Sequence, residues 1–208
     1  MHRLTTLVMF SGGLDSTAML VRLLTETTDD LRVHHIRMAN KEGRAEAEQA
    51  AVESIIEWCR SRYRPFGYSE CGLDFSAQEA IPIDYLSVAF VACQVAIDTP
   101  GCSRIAVGTL ARDLDEIKRS VTVAQRRVFG AMYECYRARK LGEPVVEWVY
   151  PVYALTKLQI ASLLAPELRI RTWSCRRPLR AAAGFRVCGV CKPCRARLDI
   201  SAALDISL

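Results

Sequence analysis

The chain has 208 residues, half of them hydrophobic, and a formal net charge of +5. That length fits one well-packed α/β domain with a small appendage and excludes two large domains. No apolar run approaches the length of a bilayer span and the N-terminus lacks a signal-peptide pattern, so the expectation is a soluble, cytoplasmic protein.

Leu7, Val8, Met9 and Phe10 form an apolar run and read as a buried strand. Ser11-Gly12-Gly13-Leu14-Asp15-Ser16-Thr17 follows, and Met19, Leu20, Leu23 and Leu24 then recur at helical spacing. Strand, glycine turn and helix N-terminus in this order favour a phosphate group, because the first amides of a helix are unpaired and its dipole attracts an anion. Ser11, Ser16 and Thr17 add hydroxyl donors, and Asp15 suits a hydrated magnesium ion. The loop is not a Walker-type phosphate loop, since no Gly-Lys-Ser/Thr closes it.

Leu31 to Met38 reads as a second strand, Gly43 to Arg62 as a long amphipathic helix and Arg64 to Ser69 as a short strand. Asp84 to Ile97 has the apolar character of a buried helix, and Arg104 to Val107 reads as a strand ending at Gly108-Thr109. Asp115 to Leu141 reads as helix, Val145 to Tyr150 as strand and Lys157 to Leu164 as helix. Alternating strands and helices predict a doubly wound parallel sheet, whose ligands collect at the carboxyl ends of the strands. Ser11 to Thr17 and the loop from Gly108 to Asp115 belong at that edge, which makes Thr109, Arg112, Asp113 and Asp115 candidates to reach a substrate. His2 is terminal. His34 and His35 are neighbours on a strand and so face opposite sides; packed or solvated roles suit them better than catalysis.

The composition changes near Thr172, so the expected division is a nucleotide-binding domain over 1–172 and a cysteine-rich segment over 173–208 packed on it. Nine cysteines is an odd count, which argues against a fully paired secreted disulfide framework. Cys175, Cys188, Cys191 and Cys194 have the spacing C-x12-C-x2-C-x2-C, which suits a tetrahedral structural zinc with no open position, ahead of an iron–sulfur cluster or redox thiols. Gly189 and Pro193 fit tight turns between these ligands. Cys59, Cys71, Cys93, Cys102 and Cys135 are scattered and read as small buried hydrophobes. Every charged residue from Arg169 to Arg197 is basic, which suits a nucleotide, a nucleic acid or an acidic partner, or offsets a thiolate cluster.

The unbroken SGGLDS at Ser11–Ser16 resembles the signature of the PP-loop ATP pyrophosphatases. Together with Ser174-Cys175 and Cys188-Gly189-x-Cys191-x-x-Cys194-x-x-Arg197 it resembles the QueC-like 7-cyano-7-deazaguanine synthases over nearly the whole chain, with Pro151 and Lys157 also in place. The resemblance implies ATP, Mg2+ and Zn2+ as cofactors. It places ATP on Phe10, Ser11, Gly12, Gly13, Leu14, Asp15, Ser16, Thr17, Gly108 and Lys157, with Ser11, Asp15, Ser16 and Lys157 catalytic. The implied reaction activates the carboxylate of 7-carboxy-7-deazaguanine as an acyl-adenylate and passes it to ammonia, giving amide and nitrile.

The middle of the chain departs from that family. Met38-Ala39-Asn40-Lys41-Glu42-Gly43-Arg44 replaces its segment after the second strand, with Arg44 and Glu46 or Glu48 as survivors; Ile83-Asp84-Tyr85 after Pro82 replaces another, and Gly108-Thr109-Leu110-Ala111-Arg112-Asp113 stands where its substrate loop belongs. ATP activation and zinc are thus better supported than the substrate, for which Arg44, Thr109, Arg112 and Asp113 are the candidates. The departures leave room for a relative that conjugates a deazaguanine to a partner protein's amine in anti-phage defence. A PP-loop tRNA-modifying enzyme and a non-catalytic nucleotide-binding module are the competing readings; no obvious appended RNA-binding domain speaks for a nucleic-acid partner. A homodimer is compatible with the long helices.

Overall fold

The computed structural model describes residues 4–80, 84–111, 123–124, 126–128, 130–132 and 146–206. His2, Pro82, Ile83, Arg112, Asp113, Asp115 and Cys135 lie outside them, as does most of the expected Asp115–Leu141 helix.

Five strands form a parallel sheet in the order β3-β2-β1-β4-β5: β1 Thr5–Phe10, β2 Asp30–Ala39, β3 Gly67–Asp74, β4 Cys102–Val107 and β5 Glu147–Val149. The helices whose ends both lie among the described residues are α1 Leu14–Glu26, α2 Ala45–Arg60, α3 Asp84–Asp98, α4 Lys157–Leu163, α5 Pro166–Arg169 and α6 Lys192–Leu204. A two-stranded antiparallel ribbon, β6 Leu179–Ala181 and β7 Gly184–Arg186, stands apart from the sheet.

Every residue of β1 is buried, as a central parallel strand covered on both faces requires. Val8, Phe10 and Val33 face one way, into a core with Leu20 of α1, Ile55 of α2, Ile160 of α4 and Ile200 of α6. Leu7, Met9, Ile36 and Met38 face the other way, against Val91, Ala92 and Ala96 of α3. Fully burying a side chain such as Leu20 or Ile55 contributes about 1.5–3 kcal/mol, so these two clusters carry the fold. The α/β class expected from the sequence is the one observed.

Some boundaries moved. The short strand expected over Arg64–Ser69 is β3, Gly67–Asp74, in register with β2 from Arg32↔Gly67 to Ala39↔Asp74. Pro193 is not in a turn between ligands; it occupies the first turn of α6, where a missing N–H costs nothing. The ribbon β6–β7 and helix α6 were not expected at all.

The strand order places β2 on one side of β1 and β4 on the other. The connections from β1 and from β4 therefore diverge and leave a crevice at their carboxyl ends. Ser11 follows β1 there, and Gly108 follows β4.

Candidate nucleotide and metal site

Gly12 turns the chain with φ +70°, and a Cβ on it would sit 2.9 Å from Cγ2 of Val52. The loop is thus pressed against α2, which only glycine permits in this conformation. Gly13 caps α1 with extended backbone, and its carbonyl accepts from the Thr17 amide at 2.9 Å, the Thr17 hydroxyl at 2.9 Å and the Ser16 hydroxyl at 3.1 Å. Ser11 Oγ and Ser16 Oγ are 3.1 Å apart. Among the described residues the Gly13 amide meets only Ser11 Oγ, at 3.4 Å. Amides at the start of α1 are therefore open to an anion.

Lys157 reaches this helix end from α4. Thr156 and Gln159 form a capping box, Gln159 N–H on Thr156 Oγ1 at 3.2 Å and Thr156 N–H on Gln159 Oε1 at 2.8 Å, which fixes the first turn carrying Lys157. Its ammonium pairs with Asp15 Oδ2, while Asp15 Oδ1 is buried with no hydrogen-bond partner among the described residues.

These groups line a cavity of about 460 Å³ with Phe10, Leu14, Gly108 and Thr109. Met9, Ile36, Met38, Val88 and Val107 supply an apolar wall. Gly12 and Thr17 do not line it; they shape the turn behind it. Thr109, expected at the substrate, is buried on the cavity wall.

The far side of the cavity is charged. Arg44 stands 2.9 Å from Glu42, 3.1 Å from Glu48 and 2.8 Å from Asp84, with only 12% of its side chain exposed. The contact with Glu42 is an ion pair without hydrogen-bond alignment. Arg176 closes the group from the C-terminal segment, 2.6 Å from Glu42 and 3.3 Å from Asp84. Burial pushes the Glu48 carboxyl up to about 7, against the pull of Arg44. Arg44, Glu48 and Asp84 are brought together in the cavity wall; Asp84 and Arg176 were not among the expected site residues. Nothing local in the sequence marks them, since the pairs join residues 40 and 134 positions apart.

His34 lines the cavity, with Nδ1 2.8 Å from Ser69 Oγ and Nε2 3.4 Å from Cys71 Sγ. His35 faces the opposite side of the sheet and donates from Nδ1 to the Phe10 carbonyl at 2.9 Å. Burial lowers both imidazole pKa values, so each ring is held neutral.

The four sulfurs of Cys175, Cys188, Cys191 and Cys194 lie within 4.8 Å of one another. Amides of Val190 and Cys191 pull the Cys188 thiol down to about 6, toward the thiolate that a metal requires. This donor set fits a metal ion. Cys59, Cys93 and Cys102 are buried, as expected; Cys71 is half-buried.

The cysteine segment also walls the cavity through Trp173, Ser174, Arg176 and Pro193. Among the described residues no helix is long and apolar enough to cross a membrane.

No known protein family's sequence profile matches the chain, and no curated protein matches it. Among solved structures it is similar to the U34-tRNA thiolase NcsA from Methanococcus maripaludis, determined with its 4Fe-4S cluster. The TM-score is 0.55 at 17% identity, over 97% of this chain and 64% of that one. The likeness is one of fold. This chain spans less than two thirds of that protein's length.

Proposed function

We propose that the chain is an ATP-dependent adenylating enzyme of the PP-loop type. Its substrate in this reading is a carboxylate, 7-carboxy-7-deazaguanine being the one its QueC-like motifs imply, and an amine accepts the activated acyl group. The observation that carries the reading is the meeting of Lys157 and Asp15 at the open N-terminus of α1, inside a cavity of nucleotide size.

The residues fit the phosphates of ATP. The amides of the first turn and the Lys157 ammonium neutralise anionic oxygens, and more strongly as charge develops on them. Asp15, with Oδ1 unpartnered, suits a hydrated magnesium ion. ATP would supply the adenylyl group that activates the carboxylate. A carboxylate oxygen bonds to the α phosphorus, the bond from that phosphorus to the β-phosphate oxygen breaks and pyrophosphate leaves; the amine later displaces AMP from the acyl carbon. The apolar wall of Ile36, Met38 and Val88 suits a planar base. Arg44, already held among three carboxylates, positions groups at the far wall more than it supplies free charge. The cysteine set suits one structural zinc, because four protein ligands leave no place for substrate.

The test is mass spectrometry of metal-loaded protein with ATP, magnesium, 7-carboxy-7-deazaguanine and ammonium, with Asp15→Ala as control. AMP together with the amide or nitrile supports the reading. AMP without either product moves the acceptor to another amine, such as that of a partner protein. A second reading, adenylation of a tRNA base, draws on the structural likeness to a tRNA thiolase and on the exposed Arg177, Arg186, Lys192 and Arg195. AMP formation that requires tRNA and ignores the deazaguanine would replace the first reading with this one.

A further inference from the structure

The phosphate loop and the four-cysteine segment share a backbone contact. The Trp173 amide donates to the Gly12 carbonyl at 2.9 Å. A Cβ on Gly13 would lie 3.5 Å from the Trp173 carbonyl, so Gly12 and Gly13 both run beside Trp173.

Peptide geometry makes this contact directional. The Gly12 carbonyl and the Gly13 amide belong to one planar trans unit, in which C=O and N–H point to opposite sides. Holding the Gly12 carbonyl on Trp173 therefore aims the Gly13 N–H away from Trp173. Among the described residues that N–H meets only Ser11 Oγ, at a loose 3.4 Å, which leaves it able to meet an anion.

Trp173 is in turn fixed from the cysteine site. Its indole N–H donates to the Cys175 carbonyl at 3.0 Å. Arg197, one helical turn beyond Cys194 on α6, donates to the Thr172 carbonyl at 2.6 Å and to Thr172 Oγ1 at 3.1 Å. The strap from Thr172 to Cys175 is thus tied to α6 at Thr172 by Arg197, and its other end is the sulfur donor Cys175 itself. Both Cys175 and Cys194 are buried, so their positions depend on what holds the sulfurs together.

We propose that Trp173 and Arg197 are positioning residues of the phosphate site, and that through them metal at the four cysteines and nucleotide at the loop bind with positive linkage. This rests on the nucleotide reading above. Linkage is reciprocal: if metal strengthens nucleotide binding by some factor, nucleotide strengthens metal retention by the same factor. Arg197 and Trp173 touch neither reacting atoms nor metal in this assignment; they set the direction of an amide.

The experiment uses the full chain, loaded with zinc, and a non-hydrolysable ATP analogue with magnesium. Analogue affinity is measured on loaded protein and on protein stripped by a chelator, with circular dichroism to verify that the stripped form is folded. Zinc release to the chelator is timed with and without analogue. Stripping is expected to weaken the analogue about tenfold, and the analogue to slow zinc release, within the usual range of such couplings. Arg197→Ala, with zinc content intact, is expected to weaken the analogue comparably and to raise KM for ATP more than it changes kcat. Arg197→Lys recovers part of the loss, and Asp199→Asn, at an exposed position of the same helix, changes nothing. Equal affinity in loaded and folded stripped protein overturns the linkage. If stripping unfolds the chain, the loaded Arg197→Ala variant decides, and wild-type affinity in it overturns the proposal. Failure of loaded wild-type protein to bind the analogue overturns the nucleotide reading, and the linkage with it.

Discussion

A Cβ at Gly108 would stand 2.9 Å from both the nitrogen and the Cα of Ser16, so the end of β4 is in contact with the backbone of the first turn of α1. The neighbours are main-chain atoms of a helix and cannot rotate aside. Gly108→Ala is expected to push the helix start off the sheet, costing about 1–3 kcal/mol as an overpacked site does, and to weaken an ATP analogue more than tenfold. Gly72→Ala is the control: a Cβ there meets nothing closer than 3.9 Å. Urea unfolding and equilibrium binding of both variants check the pair of outcomes.

Lys157→Ala leaves the Asp15 carboxylate uncompensated beside an anionic substrate. The pair is partly open, with 31% of the lysine and 21% of the aspartate side chain exposed, so folding should lose under about 1 kcal/mol. Adenylation should fall on the order of a hundredfold, the usual effect of removing one donor aimed at developing charge. AMP release under saturating ATP, alongside an unfolding curve, separates the two. A large stability loss with unchanged turnover would remove Lys157 from the site.

Local signals carried what was legible in the sequence. An apolar run, two glycines and an amphipathic helix are contiguous, so β1, the loop and α1 could be read directly, and four cysteines announce themselves by spacing. Lys157 came from its place in a family pattern. Trp173, Arg176 and Asp84 were missed because each acts across 40 or more positions of chain, through bonds that no periodicity encodes. The ribbon from Leu179 to Arg186 was missed for a different reason: its strands are short and lie exposed, so no alternation of buried and exposed residues marks them.

The charged wall makes stability depend on pH. Glu48 is faced by Arg44 and Arg176, which favour its anion, and by Asp84 and Glu42, which oppose it; burial dominates and lifts its pKa from 4.5 to about 7. A raised carboxyl pKa means that the folded state holds the proton more tightly than the unfolded state. Its contribution is present below about pH 4.5 and is lost as pH rises to about 7, a difference on the order of 3 kcal/mol at most. His34 and His35 act with the opposite sign, since their depressed pKa values remove stability as pH falls below 6.5. Glu48→Gln should therefore be as stable as wild type near pH 4.5 and more stable at pH 8. Urea denaturation across that range isolates Glu48, because the histidine contribution is common to both proteins. A wild-type advantage at pH 8 would show that the ion pair with Arg44 outweighs burial.

The proposed zinc, in preference to an iron–sulfur cluster, rests on how closely the sulfurs approach. A zinc–sulfur bond of about 2.3 Å puts tetrahedral sulfurs about 3.8 Å apart. Cys188 and Cys194 are 3.9 Å apart and Cys191 and Cys194 are 3.3 Å apart, with all four inside 4.8 Å. A four-iron cluster seats each cysteine on its own iron and needs a wider set. Metal analysis should accordingly find one zinc per chain and no visible absorption from an iron–sulfur cluster, even after anaerobic purification. Cys191→Ser should lower zinc affinity and thermal stability, and chelation should do the same to wild type. The loss reaches beyond the four cysteines: freeing Cys175 and Cys194 loosens α6, whose Ile200 packs in the same core as Ile160 of α4. Iron in near fourfold excess over chain, with thiolate-to-iron charge-transfer bands, would overturn the zinc assignment and require these sulfurs to move apart.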